Sequence, residues 1–302
     1  MSTLIAVLSI YIFILIGFLA KRIFKEDINE KTLILISIYF LQPILTFWGL
    51  TRSKIDYNLI FTPFLYFIII GISLIILLFV GKSLFEDEKD RSIFIAGSLI
   101  GNTGNIGIPL GIALFGEMSV PYTSIINIAN LFFIYTFGIY FYAKSSFNLN
   151  DALTKMLRIP ILWFALLALF FNYMQFPIHA EINKILQMGA YAAIVLQLII
   201  FGVYLGKTQI KSQNYKLSLS VSFVKLIVVP IVGLLVISMS SLPNDIATIL
   251  MVSLLVPLAV TNVNISALYN CKPYDVTAVV FVSTVCFLIL IYFDLEILKY
   301  IF

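Results

Sequence analysis

The sequence predicts an all-α protein that crosses a membrane many times. Of its 302 residues, 61% are hydrophobic and only 11% are charged, and the mean hydropathy is +1.07. Soluble domains carry about 25% charged residues. The uncharged runs are also long enough for spanning helices, each of which needs about 20 apolar residues. Together these observations exclude a soluble enzyme.

Ten apolar runs, uncharged except for Lys225 in the eighth, qualify as spans, and short connections join them. In chain order they cover residues 1–20, 32–51, 57–81, 92–116, 118–143, 159–177, 185–206, 217–244, 246–271 and 276–293. We number them as the first to the tenth span. Charges follow the first run rather than precede it, so we interpret it as a helix and not as a signal peptide.

The positive charges in the connections predict the orientation. One alternating set of connections holds 14 of the 19 Lys and Arg residues, and the other set holds four. Connections rich in Lys and Arg face the cytoplasm. We therefore expect a multi-pass protein of the cell membrane with both termini extracellular.

The middle connection divides the chain into two halves. Five spans on each side mean that the halves enter the membrane from opposite faces, as in the inverted repeats of secondary transporters. The predicted division is residues 1–143 as the first five-helix repeat, 144–158 as a short cytoplasmic connection and 159–302 as the second repeat.

The fourth span is interrupted by GNTGNIGIPLG, residues 101–111. Unpaired backbone groups cost several kcal/mol in hydrocarbon, so irregular backbone belongs where it is buried in protein or lines a polar cavity. We expect Gly104 and Gly107 to supply positive φ angles or close approach, and Pro109 to open a new half-helix. Small residues also let helices cross tightly, but the polar residues favour a binding site. These candidate binding residues are Asn102, Thr103 and Asn105.

The ninth span carries a matching interruption. Pro257 is followed by Asn262 and Asn264, which are further candidate binding residues. A lone proline is often only a kink, but paired interruptions in corresponding spans are the best sequence indication of a transporter's binding site. Half-helices that start at both breaks would each direct about +0.5 charge at the centre. Such a site suits a small anion, alone or with a coupling ion.

Three more polar residues lie within spans. Lys225, in the eighth, snorkels to the interface, compensates the carbonyl ends of the broken helices, or attracts the substrate. Asn127 and Asn130, in the fifth, either face the cavity or bond to neighbouring helices; Asn130 is included among the binding candidates.

The sequence lacks the residues that several kinds of site require. No Asp or Glu lies in the middle of a span, which weakens a dedicated carboxylate for Na⁺ or for a proton relay. Cys271 and Cys286 have no metal-ligand spacing, and no phosphate-binding ATP motif occurs. We predict no catalytic residue, no metal and no cofactor, with transport driven by a gradient or by the membrane potential.

The chain resembles the auxin efflux carrier family, which includes the plant PIN carriers, and within it the bacterial-type members. The resemblance rests on GNTGNIGIPLG, on Pro257 with Tyr269, Pro273 and Asp275, on VKLIVVP at 224–230, and on QPIL at 42–45. The short connection at 144–158 differs from the long hydrophilic loop of many plant members.

This resemblance implies crossed broken helices in spans four and nine and a fold similar to that of the sodium–bile acid symporters. It further implies a scaffold of spans one, two, six and seven that forms a homodimer. Spans three to five and eight to ten would form the moving transport unit. Plant members export indole-3-acetate, and bacterial relatives are assigned to organic acids.

We therefore predict an efflux carrier of small organic anions, auxin-like or dicarboxylate, that works by alternating access. Its partners would be the anion, the lipid bilayer and a coupling proton or Na⁺, with no nucleic acid. The alternatives are a sodium-coupled symporter, or a channel or sensor that keeps the fold. Saturable flux with counterflow distinguishes a carrier from a channel.

Overall fold

The computed structural model describes residues 2–52, 55–208 and 214–302, and their regular structure is helical. One isolated antiparallel bridge, between Gly101 and Leu258, interrupts the helical pattern. Met1 of the predicted first span lies outside the described residues, as do Lys54 and Lys211, which contribute to the predicted charge asymmetry.

Sixteen α-helices occupy the described residues. They are α1 Ser2–Phe24, α2 Glu30–Ile36, α3 Gln42–Thr51, α4 Tyr57–Leu84, α5 Glu88–Leu99, α6 Ile108–Phe115, α7 Val120–Phe133, α8 Ile139–Ala143, α9 Leu149–Leu157, α10 Pro160–Tyr173, α11 Ala180–Lys207, α12 Tyr215–Phe223, α13 Val229–Ser238, α14 Asn244–Leu255, α15 Thr261–Leu268 and α16 Pro273–Ile301. Wider π turns lie at Ser37–Leu41, Thr103–Gly107, Ile134–Gly138 and Val224–Val228.

Six helical runs among the described residues are long and apolar enough to cross a membrane, and a seventh results if α9 and α10, bent by 62°, count as one. The predicted class of all-helical multi-pass membrane protein is thereby confirmed. The predicted fourth and ninth spans are not continuous helices. The fourth consists of α5 and α6, and the ninth consists of α14 and α15.

The longest helical run, Thr103–Ala143, reverses direction inside. Gly116 has φ +70° and ends α6, a conformation that glycine adopts without strain. A Cβ on Gly111 would lie 2.8 Å from Thr123 Cγ2, so α6 and α7 pack side by side. The turn at Gly116–Ser119 therefore separates the predicted fourth and fifth spans.

Close backbone contact joins α1 to α11. A Cβ on Gly17 would collide with the Ile199 carbonyl, and a Cβ on Gly202 would collide with the Ile14 carbonyl. Gly206 completes a GxxxG pattern on α11, and its Cβ would meet the Phe18 carbonyl at 2.8 Å. Such patterns let membrane helices approach closely.

Other helices pack against one another as follows. Helix α3 contacts α10 and α11, which belong to the predicted scaffold. Helix α4 contacts α5, α7 and α13, while α16 contacts α12 and α15.

The connection predicted at 144–158 contains a helix of its own. Asn148 caps α9 by accepting from the backbone amides of Asn150 and Asp151, as N-cap residues do. Ala152 and Met156 are buried, whereas most of the other side chains of α9 are exposed or half-buried. This pattern is that of an amphipathic helix that covers part of the protein surface.

Candidate functional site

The two helix breaks meet and hold each other by backbone hydrogen bonds. The Asn102 amide donates to the Pro257 carbonyl at 2.8 Å, and the Ala259 amide donates to the Ile100 carbonyl at 3.1 Å. The ends of a helix leave backbone N–H and C=O groups without intrahelical partners. Away from water these groups must find other partners. We call this meeting point the crossover.

The break in the fourth span follows from residues 100–109. Helix α5 ends as Ile100 becomes extended, and the Asn102 carbonyl then accepts from the Ile106 and Gly107 amides at 3.1 and 3.2 Å. Pro109 stands in the first turn of α6, which continues directly from the π turn Thr103–Gly107.

The glycines of this motif act through close approach. Among the residues that the structure describes, the glycine with a positive φ is Gly116. The prediction of positive φ at Gly104 and Gly107 is therefore wrong. A Cβ on Gly104 would lie 3.0 Å from Asn127 Oδ1, and one on Gly101 would lie 3.0 Å from Lys225 Nζ. A Cβ on Gly107 would approach no atom closer than 3.7 Å, so packing does not explain that glycine.

The break in the ninth span centres on Pro257. Helix α14 ends at Leu255, Val256 is extended, and α15 begins at Thr261. Pro257 has no N–H to leave unpaired, and its carbonyl accepts from Asn102. The proline therefore lies within the break itself.

Asn130 clamps the first break. Its Nδ2 donates to the Gly101 carbonyl at 2.8 Å and to Thr103 Oγ1 at 2.9 Å, and its Oδ1 accepts from Tyr66 OH at 3.0 Å. Thr103 Oγ1 in turn donates to Asn127 Oδ1 at 2.9 Å. The Asn130 side chain is buried, and its hydrogen-bonding groups are already used by the protein.

Asn262 clamps the second break in the same manner. Its Nδ2 donates to the Ala259 carbonyl at 2.8 Å and to the Ile100 carbonyl at 3.3 Å, while Tyr142 OH donates to its Oδ1 at 3.0 Å. The side chain is fully buried. It does not line the cavity described below, so the structure corrects the placement of Asn262 among substrate contacts.

Lys225 donates a hydrogen bond to a carbonyl end. It is only 2% exposed, which contradicts snorkelling to the interface. Its Nζ donates to the Leu254 carbonyl at 2.9 Å, in the last turn of α14, where cations are favoured. This contact matches the alternative of compensating the broken helix. Lys225 does not line the cavity, so the structure gives it no contact with a substrate.

A cavity of about 510 Å³ reaches the crossover. One wall comes from the joint of α2 and α3 together with α10 and α11, and the other comes from the crossover, α7 and α15. The predicted residues that line it are Asn102, Thr103, Gly104, Asn105, Asn130 and Asn264. The predicted residues that lie outside its lining are Gly107, Pro109, Lys225, Pro257 and Asn262.

Hydrogen-bonding capacity remains unused in this cavity. Asn102 is 4% exposed, and its Nδ2 has no partner among the described residues. Asn105 is half-buried, and Asn264 is exposed. A buried amide without a partner is costly, and the Nδ2 of Asn102 is such a group beside the cavity.

The charged side chains that line the cavity are Lys155 and Arg158, and no Asp or Glu is among its lining residues. Neither cation was among the predicted site residues. Among the described residues, no group of three His, Cys, Asp or Glu side chains could hold a metal ion.

A family model described as "Membrane transport protein" matches residues 2–151 and 145–293, which is nearly the whole chain. The chain belongs to this family. The family is that of the auxin efflux carriers, so the resemblance based on the broken-helix motif is confirmed. No curated protein matches the chain. As a member of this family, the protein is a membrane transporter.

The transporter also has a polar cluster at the end of α6 that is remote from the crossover. Arg52, beyond α3, pairs with Glu117 at 2.5 Å, and Tyr191 and Gln187 of α11 donate to Glu117 Oε1 at 2.6 and 2.8 Å. The hydrogen bond from Tyr191 is the main cause that lowers the Glu117 pKa, and Gln187 and Arg52 add to it. We call these four residues the Glu117 cluster.

Proposed function

We propose that the chain is a secondary transporter of small organic anions that works by alternating access at the crossover. The observation that carries the proposal is the cavity that ends at this point, with the unpaired Nδ2 of Asn102 in its wall. A carboxylate oxygen is an acceptor that this amide lacks. Asn105 and Asn264 would supply further donors.

The walls of the cavity favour negative charge. Thr103, Gly104 and Thr261 belong to the first turns after the two breaks, and all three line the cavity. First-turn amides have no intrahelical acceptor, and they carry the positive end of the helix dipole. Because no carboxylate side chain lines the cavity, an anionic substrate meets no like charge there.

The proposed architecture is two inverted repeats of five spans, with both termini extracellular at the cell membrane. The family model matches in two stretches that meet at residues 145–151, within the connection 144–158, which supports the division into halves. The packing of α1 on α11 and of α3 on α10 supports the grouping of spans one, two, six and seven as the scaffold. A homodimer through this scaffold is part of the proposal.

Alternating access requires one side of the cavity to be closed. Lys155 and Arg158 are exposed and line the cavity, whereas the Glu117 cluster joins α3 and α11 to the turn between α6 and α7. The transport unit would have to break these contacts to open the opposite side. Export, driven by the membrane potential or by a proton or Na⁺ gradient, is the direction that the family resemblance supports.

Thermal unfolding of the purified protein tests the substrate class. Indole-3-acetate and succinate are compared with their uncharged amides. A ligand at about 100 times its Kd stabilises the folded state by about 2.7 kcal/mol. We expect a carboxylate to raise the Tm and its amide to leave it unchanged. If the amides stabilise equally, or no carboxylate stabilises the protein, the anion proposal is wrong.

Two variants test the location of the site. Asn102→Ala and Asn105→Ala each remove an amide from the cavity wall and should weaken carboxylate stabilisation at least tenfold in apparent Kd. Asn150→Ala, on the exposed face of α9, is the matched control and should respond like the wild type. Wild-type responses from both cavity variants would place the site away from the crossover.

A further inference from the structure

Helix α9 and the residue after it place two exposed cations in the lining of the cavity. Lys155 lies in its last turn, and Arg158 is the residue that follows the helix. The burial of Ala152 and Met156 holds this helix against the protein. Trp163 Nε1 donates to the Leu157 carbonyl at 2.7 Å and fastens the bend into α10. The positions of both cations are therefore set by packed backbone.

Lys155 also reaches across to the end of α15. Its Nζ lies 3.4 Å from Tyr269 OH and 5.7 Å from the centre of the Tyr269 ring. Tyr269 follows α15 and lines the same cavity. The ammonium therefore connects α9 to the end of α15 within the lining of the cavity.

Neither cation is neutralised by a described carboxylate. The ion pairs of the described residues involve other cations, such as Lys144 with Glu88 and Lys272 with Asp90. Both of these paired cations lie outside the cavity lining. Cations are common near a helix C-terminus and in cytoplasmic connections. Those tendencies do not explain why Lys155 and Arg158 both line a cavity.

We propose that Lys155 and Arg158 determine the charge specificity of the transporter, as an anion-selective entrance to the crossover cavity. Their field raises the local concentration of anions and lowers that of cations before any contact with Asn102. This inference rests on the proposed function for its purpose. Low-dielectric walls around a cavity of one sign strengthen such a field.

Thiol-modification rates measure this field without knowledge of the substrate. The native thiols are removed by Cys271→Ser and Cys286→Ser, and Thr261→Cys places one reporter in the cavity wall. The measured quantity is the rate with anionic sulfonatoethyl methanethiosulfonate divided by the rate with its cationic trimethylammonioethyl analogue. The ratio cancels any effect of the field on the thiol pKa, because both reagents attack the same thiolate.

We expect the ratio at position 261 to exceed that at Ser83→Cys, which lies on the exposed end of α4. Lys155→Gln with Arg158→Gln should lower the ratio at position 261 roughly tenfold, since each charge acts in opposite senses on the two reagents. High salt should shrink the difference.

Two controls make the outcome decisive. Arg158→Lys keeps the charge and should keep the ratio. Lys216→Gln removes an exposed cation that bonds the Leu84 carbonyl outside the cavity, and should also leave the ratio unchanged. A ratio unaffected by the double substitution, or lowered equally by Lys216→Gln, overturns the inference. Either result is independent of the carboxylate screen, so the proposed function can fail or succeed separately.

Discussion

At the scale of single residues, asparagine has two tasks around the crossover. Asn130 and Asn262 bind the carbonyls of the broken helices, and a tyrosine hydroxyl completes the bonding of each. Asn102 contributes its backbone amide to the crossover but keeps its Nδ2 free. The first pair maintains the break, and the side-chain amide of Asn102 is buried without a partner.

This difference predicts that substitution by alanine changes the free energy of unfolding strongly at Asn130 and little at Asn102. Asn130→Ala removes three hydrogen bonds, to the Gly101 carbonyl, Thr103 Oγ1 and Tyr66 OH. It should lower the free energy of unfolding by about 2 kcal/mol, since each buried bond inside a membrane protein contributes roughly 0.6 kcal/mol or more. Asn102→Ala removes no side-chain bond and should change it by less than about 0.5 kcal/mol.

Unfolding in detergent by heat or denaturant measures both variants. Tyr66→Phe removes one bond from the same network and should fall between them. Equal destabilisation by Asn102→Ala and Asn130→Ala would show that the two side chains are not used differently.

At the scale of helices, the packing of α1 on α11 depends on missing side chains. The backbone carbonyls of Ile14 and Ile199 occupy the space where Gly202 and Gly17 would carry a Cβ. The helices therefore approach at backbone distance over more than one turn. The contact can be weakened by a single methyl group.

Gly202→Ala should lower the free energy of unfolding by about 2 kcal/mol, because the helices must separate to admit the methyl group. Gly71→Ala is the matched control, since a Cβ there would meet no atom within 4 Å. At that position alanine should be neutral or stabilising by up to about 1 kcal/mol through helix propensity. Similar Tm values for the two variants would disagree with the described crossing.

The Glu117 cluster links elements of the proposed scaffold and transport unit, and it predicts a pH dependence. The Glu117 pKa is lowered from its ordinary value of 4.5, chiefly by the Tyr191 hydroxyl. A lowered pKa in the folded state contributes stability above pH 4.5, and this contribution is lost as the pH falls below that value. Acid should therefore open these contacts.

The Tm of the wild type should fall more steeply below pH 4.5 than that of Glu117→Gln, which has no carboxylate to protonate. Tyr191→Phe removes the main cause of the lowered Glu117 pKa. The Tm of this variant should therefore also fall less steeply below pH 4.5 than that of the wild type. Parallel profiles for the wild type and Glu117→Gln would mean that this carboxylate does not contribute.

At the scale of the whole molecule, the features that could be predicted are those encoded by neighbouring residues. The length of the apolar runs predicts membrane helices, and the density of Gly, Asn and Pro at 101–111 predicts a break, because each depends on backbone groups only a few residues apart. The break before the half-helix that contains Pro109 and the interruption at Pro257 are where the sequence indicated.

The parts that could not be predicted depend on partners distant in sequence. Tyr66 and Tyr142, on other helices, donate to the side-chain oxygens of Asn130 and Asn262. Asparagines that looked alike in sequence therefore differ in whether their side chains have partners. The connection 144–158 appeared to be only a linker. The spacing of four residues between Ala152 and Met156, among polar neighbours, was the signal of one helix face. It could have shown α9, and with it the cations of the cavity.

Counterflow in proteoliposomes tests the central claim, that the crossover cavity is the substrate site of a carrier. Vesicles loaded with the unlabelled carboxylate that stabilises the protein most should take up the labelled compound transiently and with saturable kinetics. Asn102→Ala combined with Asn105→Ala should abolish this uptake, and Asn150→Ala should preserve it. Uptake that rises linearly without counterflow, or that survives the double substitution, would contradict the account.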